Sequence, residues 1–190
     1  MGENYWKDAY KDTWAESSKR EKRLMRYLEN QTGMKCAESG LGAGTSQYIS
    51  GSAVRNGYQK GDADFLIQGT NVYIEVTGPL VATVSPTAPL WFRPDKLNNA
   101  IKNREHDVFL VHHCISADLW RVIHIDQEFK QRFSGGQFKV VTPYIRGRRE
   151  RYVEIESNDK CIRNLDYLVD YLGKMKEKQV NGKNENGDGQ

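Results

Sequence analysis

Apolar and polar positions alternate in several distinct rhythms along the chain, and each rhythm predicts an element. Residues 5–32 contain neither Pro nor Gly. Trp14, Leu24, Met25, Tyr27 and Leu28 recur there at helical spacing, which predicts a helix ended by Gly33. The stretch Ala15–Ser18, weakened in helix propensity by its two serines, allows a second helix to begin at Ser17 or Ser18. Met34–Ser39 reads as a short strand, followed by a glycine-rich loop from Gly40 to Ser46 and an irregular or hairpin segment over 47–60. Phe65-Leu66-Ile67 and Val72-Tyr73-Ile74-Glu75-Val76 are two apolar runs joined by Gln-Gly-Thr-Asn, the signature of a β-hairpin over 63–77. Pro79, Pro86, Pro89 and Pro94 then punctuate a long connection without regular structure.

Further on, Asp95 is placed to cap a helix through Leu97, Ala100 and Ile101. Val108–His113 is a continuous apolar run, as expected of a central strand covered on both faces. Residues 119–125 alternate and predict a neighbouring strand. Residues 138–145 and 152–155 predict a hairpin around Arg-Gly-Arg-Arg-Glu, and 159–177 carry the single apolar stripe of a terminal helix. The expected layout is one domain over 1–178 and a disordered polar tail over 179–190, since 181–190 lack apolar side chains.

Composition narrows the class. The chain has 190 residues and a net charge of only +3, and its mean hydropathy of −0.74 is very polar. The charge is uneven, with basic runs at 19–26 and 146–151 that suit a polyanion. Cys36, Cys114 and Cys161 are odd in number and lack metal-binding spacing, so they read as reduced thiols of a cytoplasmic, intracellular protein. No run reaches the ~20 apolar residues that span a bilayer, and the polar start is no signal peptide. Trp6 stands where a myristoylation signal needs Ser or Thr. The loop 40–46 lacks the Gly-Lys-Ser/Thr ending of a phosphate-binding loop, so no nucleotide cofactor is expected.

The chemistry sits in the hairpin. Glu75 lies inside an apolar run, and a buried carboxylate is costly unless it is paired or binds a cation. Asp64 enters the preceding strand, close enough across the hairpin to share a Mg²⁺ or Mn²⁺ with Glu75. Asp62 is the alternative to Asp64. His112, His113 and His124 form a second candidate cluster for zinc. Neighbouring strand residues face opposite ways, so at most one of the pair can join His124, and satisfied core histidines are the favoured reading. The tryptophans read as core or hinge anchors, with Trp91 in the proline-rich segment the one placed to meet a nucleobase.

The order helix, strand, Asp strand, Glu strand, helix, strand, strand resembles the PD-(D/E)XK nuclease superfamily, and within it the archaeal Holliday junction resolvases. The resemblance covers about Ser18 to Asp126. It implies an α/β, restriction-endonuclease-like core with a mixed central β-sheet flanked by helices. Glu21 matches the family's helix Glu, with Glu16 as rival; Asp64 matches its Asp, and Glu75-Val76-Thr77 its Glu-x-Lys. The family's lysine is therefore Thr77 here. Either Lys96 or Lys102 from the next helix replaces it, with Arg93 behind them, or the chain binds nucleic acid without cutting it. The resemblance implies one or two Mg²⁺ (or Mn²⁺) on Asp64, Glu75, the Val76 carbonyl and Glu21. The expected activity is structure-selective hydrolysis of branched or duplex DNA by a homodimer. Backbone phosphates would meet Lys19, Arg20, Arg23 and Arg26 on the first helix and Arg146, Arg148, Arg149 and Arg151 at the hairpin tip.

Overall fold

The computed structural model describes residues 3–40, 62–145 and 147–184. Fifteen elements follow in chain order: helix α1 (Glu3–Thr32), strands β1 (Cys36–Glu38), β2 (Phe65–Ile67), β3 (Val72–Thr77) and β4 (Leu90–Phe92), helix α2 (Pro94–Lys102), strands β5 (Asp107–Cys114) and β6 (Leu119–His124), helix α3 (Gln127–Ser134), strands β7 (Lys139–Val141), β8 (Tyr144–Ile145), β9 (Arg148–Arg149), β10 (Tyr152–Ile155) and β11 (Ile162–Arg163), and helix α4 (Leu165–Asn184).

A six-stranded mixed sheet of order β1-β2-β3-β5-β6-β11 organises the molecule. The hairpin pairs β2 with β3 antiparallel, Phe65 opposite Ile74. β3 and β5 are parallel, Glu75 opposite Leu110, and a parallel pair needs a long crossover. Here β4 and α2 supply it. β5 is buried along nearly its whole length, as its unbroken apolar run requires.

Alternation in the strands divides the core in two. Ile74 and Val76 of β3 join Leu24 and Leu28 of α1 and Leu168 and Leu172 of α4. On the opposite face, Leu97 and Ala100 of α2 pack with Leu110, Ile123, Phe129 of α3 and Val153 of β10. The fold is thus mixed α/β, with helices on both faces of the sheet. A smaller sheet of order β4-β10-β7 lies on the α2 side.

Several boundaries differ from the sequence reading. α1 is one continuous helix through Ser17 and Ser18, and Gly33 ends it at φ +67. The proline-rich connection contains β4, whose Leu90 and Phe92 are buried between prolines. α2 starts at Pro94 with Arg93 as its N-cap, so Asp95 lies in its first turn instead of capping it. α3 was not apparent in the sequence; the Asp126 side chain caps it by accepting from the Phe129 N–H. The basic hairpin is split, β7 pairing with β10 and β8 with β9. α4 begins at Leu165, because Ile162 and Arg163 are drawn into the main sheet beside β6. It continues to Asn184, into the stretch expected to be a disordered tail. The glycine-rich loop from Leu41 on, the segment 47–60, Arg146 and residues 185–190 lie outside the described residues. No helix among the described residues is long and apolar enough to cross a membrane.

Candidate active site

Asp64, Glu75 and Lys96 meet at the side of the sheet that α2 covers. The inward residues of β3 on the α1 side are Ile74 and Val76, so alternation sends Glu75 to the α2 side. One step beyond the Phe65–Ile74 pair, Asp64 comes alongside β3. Its N–H donates to the Ile74 carbonyl at 3.0 Å, and its Oδ2 accepts from the Val76 N–H at 2.7 Å. That side-chain contact clamps the carboxylate against the strand that carries Glu75.

Lys96 lies in the first turn of α2. Its Nζ donates to Glu75 Oε2 at 2.9 Å and to the Asp62 carbonyl at 3.2 Å. Glu75 is only 6% exposed, while the Lys96 side chain keeps 26% of its surface. Burial pushes Glu75 up to about 8, and the Asp64 charge adds to it. Burial likewise raises Asp64, against the opposing pull of Lys96. For Lys96, burial alone would favour the neutral amine, but the Glu75 and Asp64 carboxylates outweigh it and raise its pKa. The ammonium therefore keeps its proton.

Arg20 approaches from α1. It donates to the Gly78 carbonyl at 3.0 Å. Burial pulls its pKa down, and the charges of Glu21, Asp64 and Glu75 oppose that pull. Its Nε is buried without a hydrogen-bond partner among the described residues. Arg20 was expected to contact a phosphate on the helix surface, yet it turns inward. A signal was present: Arg20, Leu24 and Leu28 fall four residues apart, on one stripe of α1. Gly78 lets this corner close. Its φ is +126, and a Cβ there would stand 2.2 Å from the His113 carbonyl oxygen.

The remaining candidates divide clearly. Glu21 is half-buried and adds its charge to Glu75, but it does not complete a three-acid cluster. Among the described residues no group of three or more His, Cys, Asp or Glu is gathered to hold a metal ion. Glu16 is an exposed partner of Lys19 at 2.6 Å. Asp62 accepts from Asn99 Nδ2 at 3.4 Å, beside the Asp64 pair. Thr77 is half-buried at the end of β3, paired in register with His112. Lys102 is exposed in the last turn of α2, and Arg93 is held by Asp95 at 2.8 Å. Of the cations weighed for Thr77's missing charge, Lys96 is the one that touches an acid of the pair.

The basic surface is partly occupied by its own contacts. Arg23 forms a two-pronged pair with Asp118, at 2.7 and 2.6 Å, and lies over Trp120. Arg26 Nε donates to the Lys22 carbonyl at 3.2 Å. Arg149 and Arg151 are exposed beside the β8–β9 ribbon, and Arg148 pairs in register with Ile145. Trp91 is 38% exposed, but its indole N–H is fixed to Glu154 at 2.7 Å.

The histidines do not form a cluster. His112 meets buried Arg121 at 3.2 Å. His113 meets Asp118 at 2.8 Å and stacks on Trp120. His124 meets Asp107 at 2.5 Å, and Tyr171 donates to the other oxygen of that carboxylate. Burial, with the Arg121 charge, drops His112 to about 3, so it is a neutral core residue. Arg121 itself went unnoticed in the sequence, although its alternation with Ile123 and Ile125 places it on the inward face.

No protein-family model matches this chain, and no curated protein matches it.

Proposed function

We propose that the chain is a metal-dependent endonuclease that hydrolyses phosphodiester bonds in DNA, on a restriction-endonuclease-like core. The carrying observation is Lys96 Nζ at 2.9 Å from Glu75, beside Asp64. It supports the reading because the resemblance to PD-(D/E)XK nucleases calls for a cation beside the two acids, which Thr77 cannot supply. A lysine held against the pair from the helix after the Glu strand supports an active site over an abandoned one.

The donor set suits Mg²⁺ or Mn²⁺. Mg²⁺ keeps several waters and is often held by only one or two carboxylates, which Asp64 and Glu75 supply. Burial and, for Glu75, the neighbouring Asp64 charge raise both acids, and a divalent cation between them would offset that cost. When bound, the ion would lower the pKa of a water and polarise the scissile phosphate. Lys96 stays protonated, so its part is to orient the attacking oxygen and offset charge on the phosphorane. Water adds to phosphorus as the bond to the 3′ oxygen breaks. The products carry a 5′-phosphate and a 3′-hydroxyl, the latter protonated on leaving. Arg20, anchored on the Gly78 carbonyl, adds a positive charge from the α1 side. Exposed Lys19, Arg26, Arg149 and Arg151 meet backbone phosphates, which position a duplex without reading its sequence. Symmetric cuts in a four-way junction need two such sites, hence a homodimer acting inside the cell.

A nucleic-acid-binding protein that does not cut is the second reading, favoured because neither Glu21 nor Asp62 is gathered with the pair into a metal-holding group of three among the described residues. Cleavage of plasmid and four-way-junction DNA with Mg²⁺ or Mn²⁺ decides between them. The nuclease reading expects wild type to cut and both Asp64→Ala and Glu75→Ala to fail. Wild type no more active than the two variants leaves the binding-only reading.

A further inference from the structure

Next to the carboxylate pair lies a cavity of about 270 Å³. Glu75 is part of its wall, so whatever fills it adjoins the reacting phosphate. Asn99 of α2 and Asn103, the residue that caps the C-terminus of α2, line it. Asn103 Nδ2 donates to Asn99 Oδ1 at 3.3 Å. Tyr73 of β3 and His106 provide a flat wall, their rings stacked at 3.9 Å between centroids and 17° between planes. The charged groups in the lining are the carboxylates of Asp62 and Glu75.

This lining is wrong for a phosphate, which needs cations, and it is too polar for a lipid chain. Side-chain amides, an aromatic wall and acids that accept hydrogen bonds suit a flat uncharged ring with N–H donors. The volume admits one such ring with part of its sugar, and excludes a base pair. A ring inside a duplex cannot enter it without leaving its stack.

We infer that this cavity takes an unpaired nucleobase of the DNA substrate, from the nucleotide adjoining the phosphate held at Glu75 and Lys96. The inference rests on the nuclease reading and specifies its substrate class: strands with an unstacked nucleotide at the cut, such as flaps, frayed junctions or single strands, over intact duplex. The His106–Tyr73 wall stacks against the base, and Asn99 and Asn103 hydrogen-bond its edge. Selection by structure then needs no sequence-specific contact.

The test compares fluorescein-labelled oligodeoxyadenylate with a fully abasic strand of equal length, by anisotropy in EDTA. The two carry the same phosphates, so the difference isolates the base. Wild type is expected to bind the base-bearing strand about tenfold more tightly, the usual scale of one stacking contact. His106→Ala and Asn103→Leu should reduce that preference to under about twofold, and leave binding of the abasic strand unchanged, which also shows that they fold. Equal binding of both strands by wild type overturns the cavity assignment, as does full preference in both variants; cleavage by wild type would then leave the nuclease reading standing. Failure to bind either strand likewise overturns the cavity assignment, and cleavage of plasmid and junction DNA then judges the nuclease reading by itself.

Discussion

Lys96 and Glu75 are 21 residues apart in sequence and 2.9 Å apart in space, the ammonium from the first turn of α2 and the carboxylate from the middle of β3. A buried acid beside another buried acid is unfavourable, and this contact offsets part of that cost. It also leaves the ammonium charged at neutral pH, as a group that stabilises negative charge must be.

Under the proposed nuclease activity, loss of Lys96 should be costly to catalysis. Lys96→Met is expected to lower the cleavage rate of junction DNA by about 10²-fold or more. Lys102→Met, at an exposed position, should change it less than about twofold. Single-turnover rates with DNA in excess of its Kd check this. Equal loss in the two variants would show that Lys96 is not the replacement for Thr77.

Metal binding should depend on pH in a defined direction. Burial pushes Glu75 up to about 8, and a carboxylate must lose its proton to ligate. Affinity for Mg²⁺ or Mn²⁺ should rise as pH increases through about 8, with proton uptake by buffer. Titration calorimetry at pH 6.5 and 8.5, in two buffers of different ionisation enthalpy, measures both. A pH-independent Kd would be inconsistent with Glu75 as a ligand.

The same shift affects stability. The folded pKa of Glu75 lies above its ordinary value of 4.5, so the folded state holds that proton more tightly than the unfolded chain. The contribution is fully present below about pH 4.5 and is lost as pH rises through about 8. Glu75→Gln is neutral throughout and escapes this loss, on the order of a few kcal/mol. In EDTA at pH 9 its Tm should exceed that of wild type by about 5 °C or more, with little difference at pH 5. A lower Tm at pH 9 would mean that the Lys96 ion pair outweighs the burial cost.

Gly78→Ala should destabilise the fold by about 2–4 kcal/mol, since it combines a forbidden backbone angle with a clash. The methyl group would lie 2.2 Å from the His113 carbonyl oxygen. Urea denaturation should show a lower midpoint with an unchanged slope.

The hairpin acids were legible because their signal is local: an apolar run interrupted by Glu75, a turn, and Asp64 across it. β5 and β6 were legible for the same reason. The role of Lys96 was not, since Lys102 shares its helix and only the docking of α2 distinguishes them. β4 was hidden because Leu90 and Phe92 are too few to show a period among prolines, and its strand geometry comes from pairing with β10. β11 was mistaken for the start of α4 because Ile162 fits the helical stripe, while the β6 edge claims it. Arg20 was read as surface charge because its residue type was weighed above its position on the Leu24–Leu28 stripe.

The parallel pairing of β3 with β5 has a consequence for how the site is assembled. Asp64 and Glu75 are brought together by a turn of a few residues, which closes fast. Lys96 arrives only with the crossover, a larger and slower loop closure. Docking of α2 thus does what the hairpin cannot do locally: a distant stretch of chain delivers the ammonium that balances its two acids.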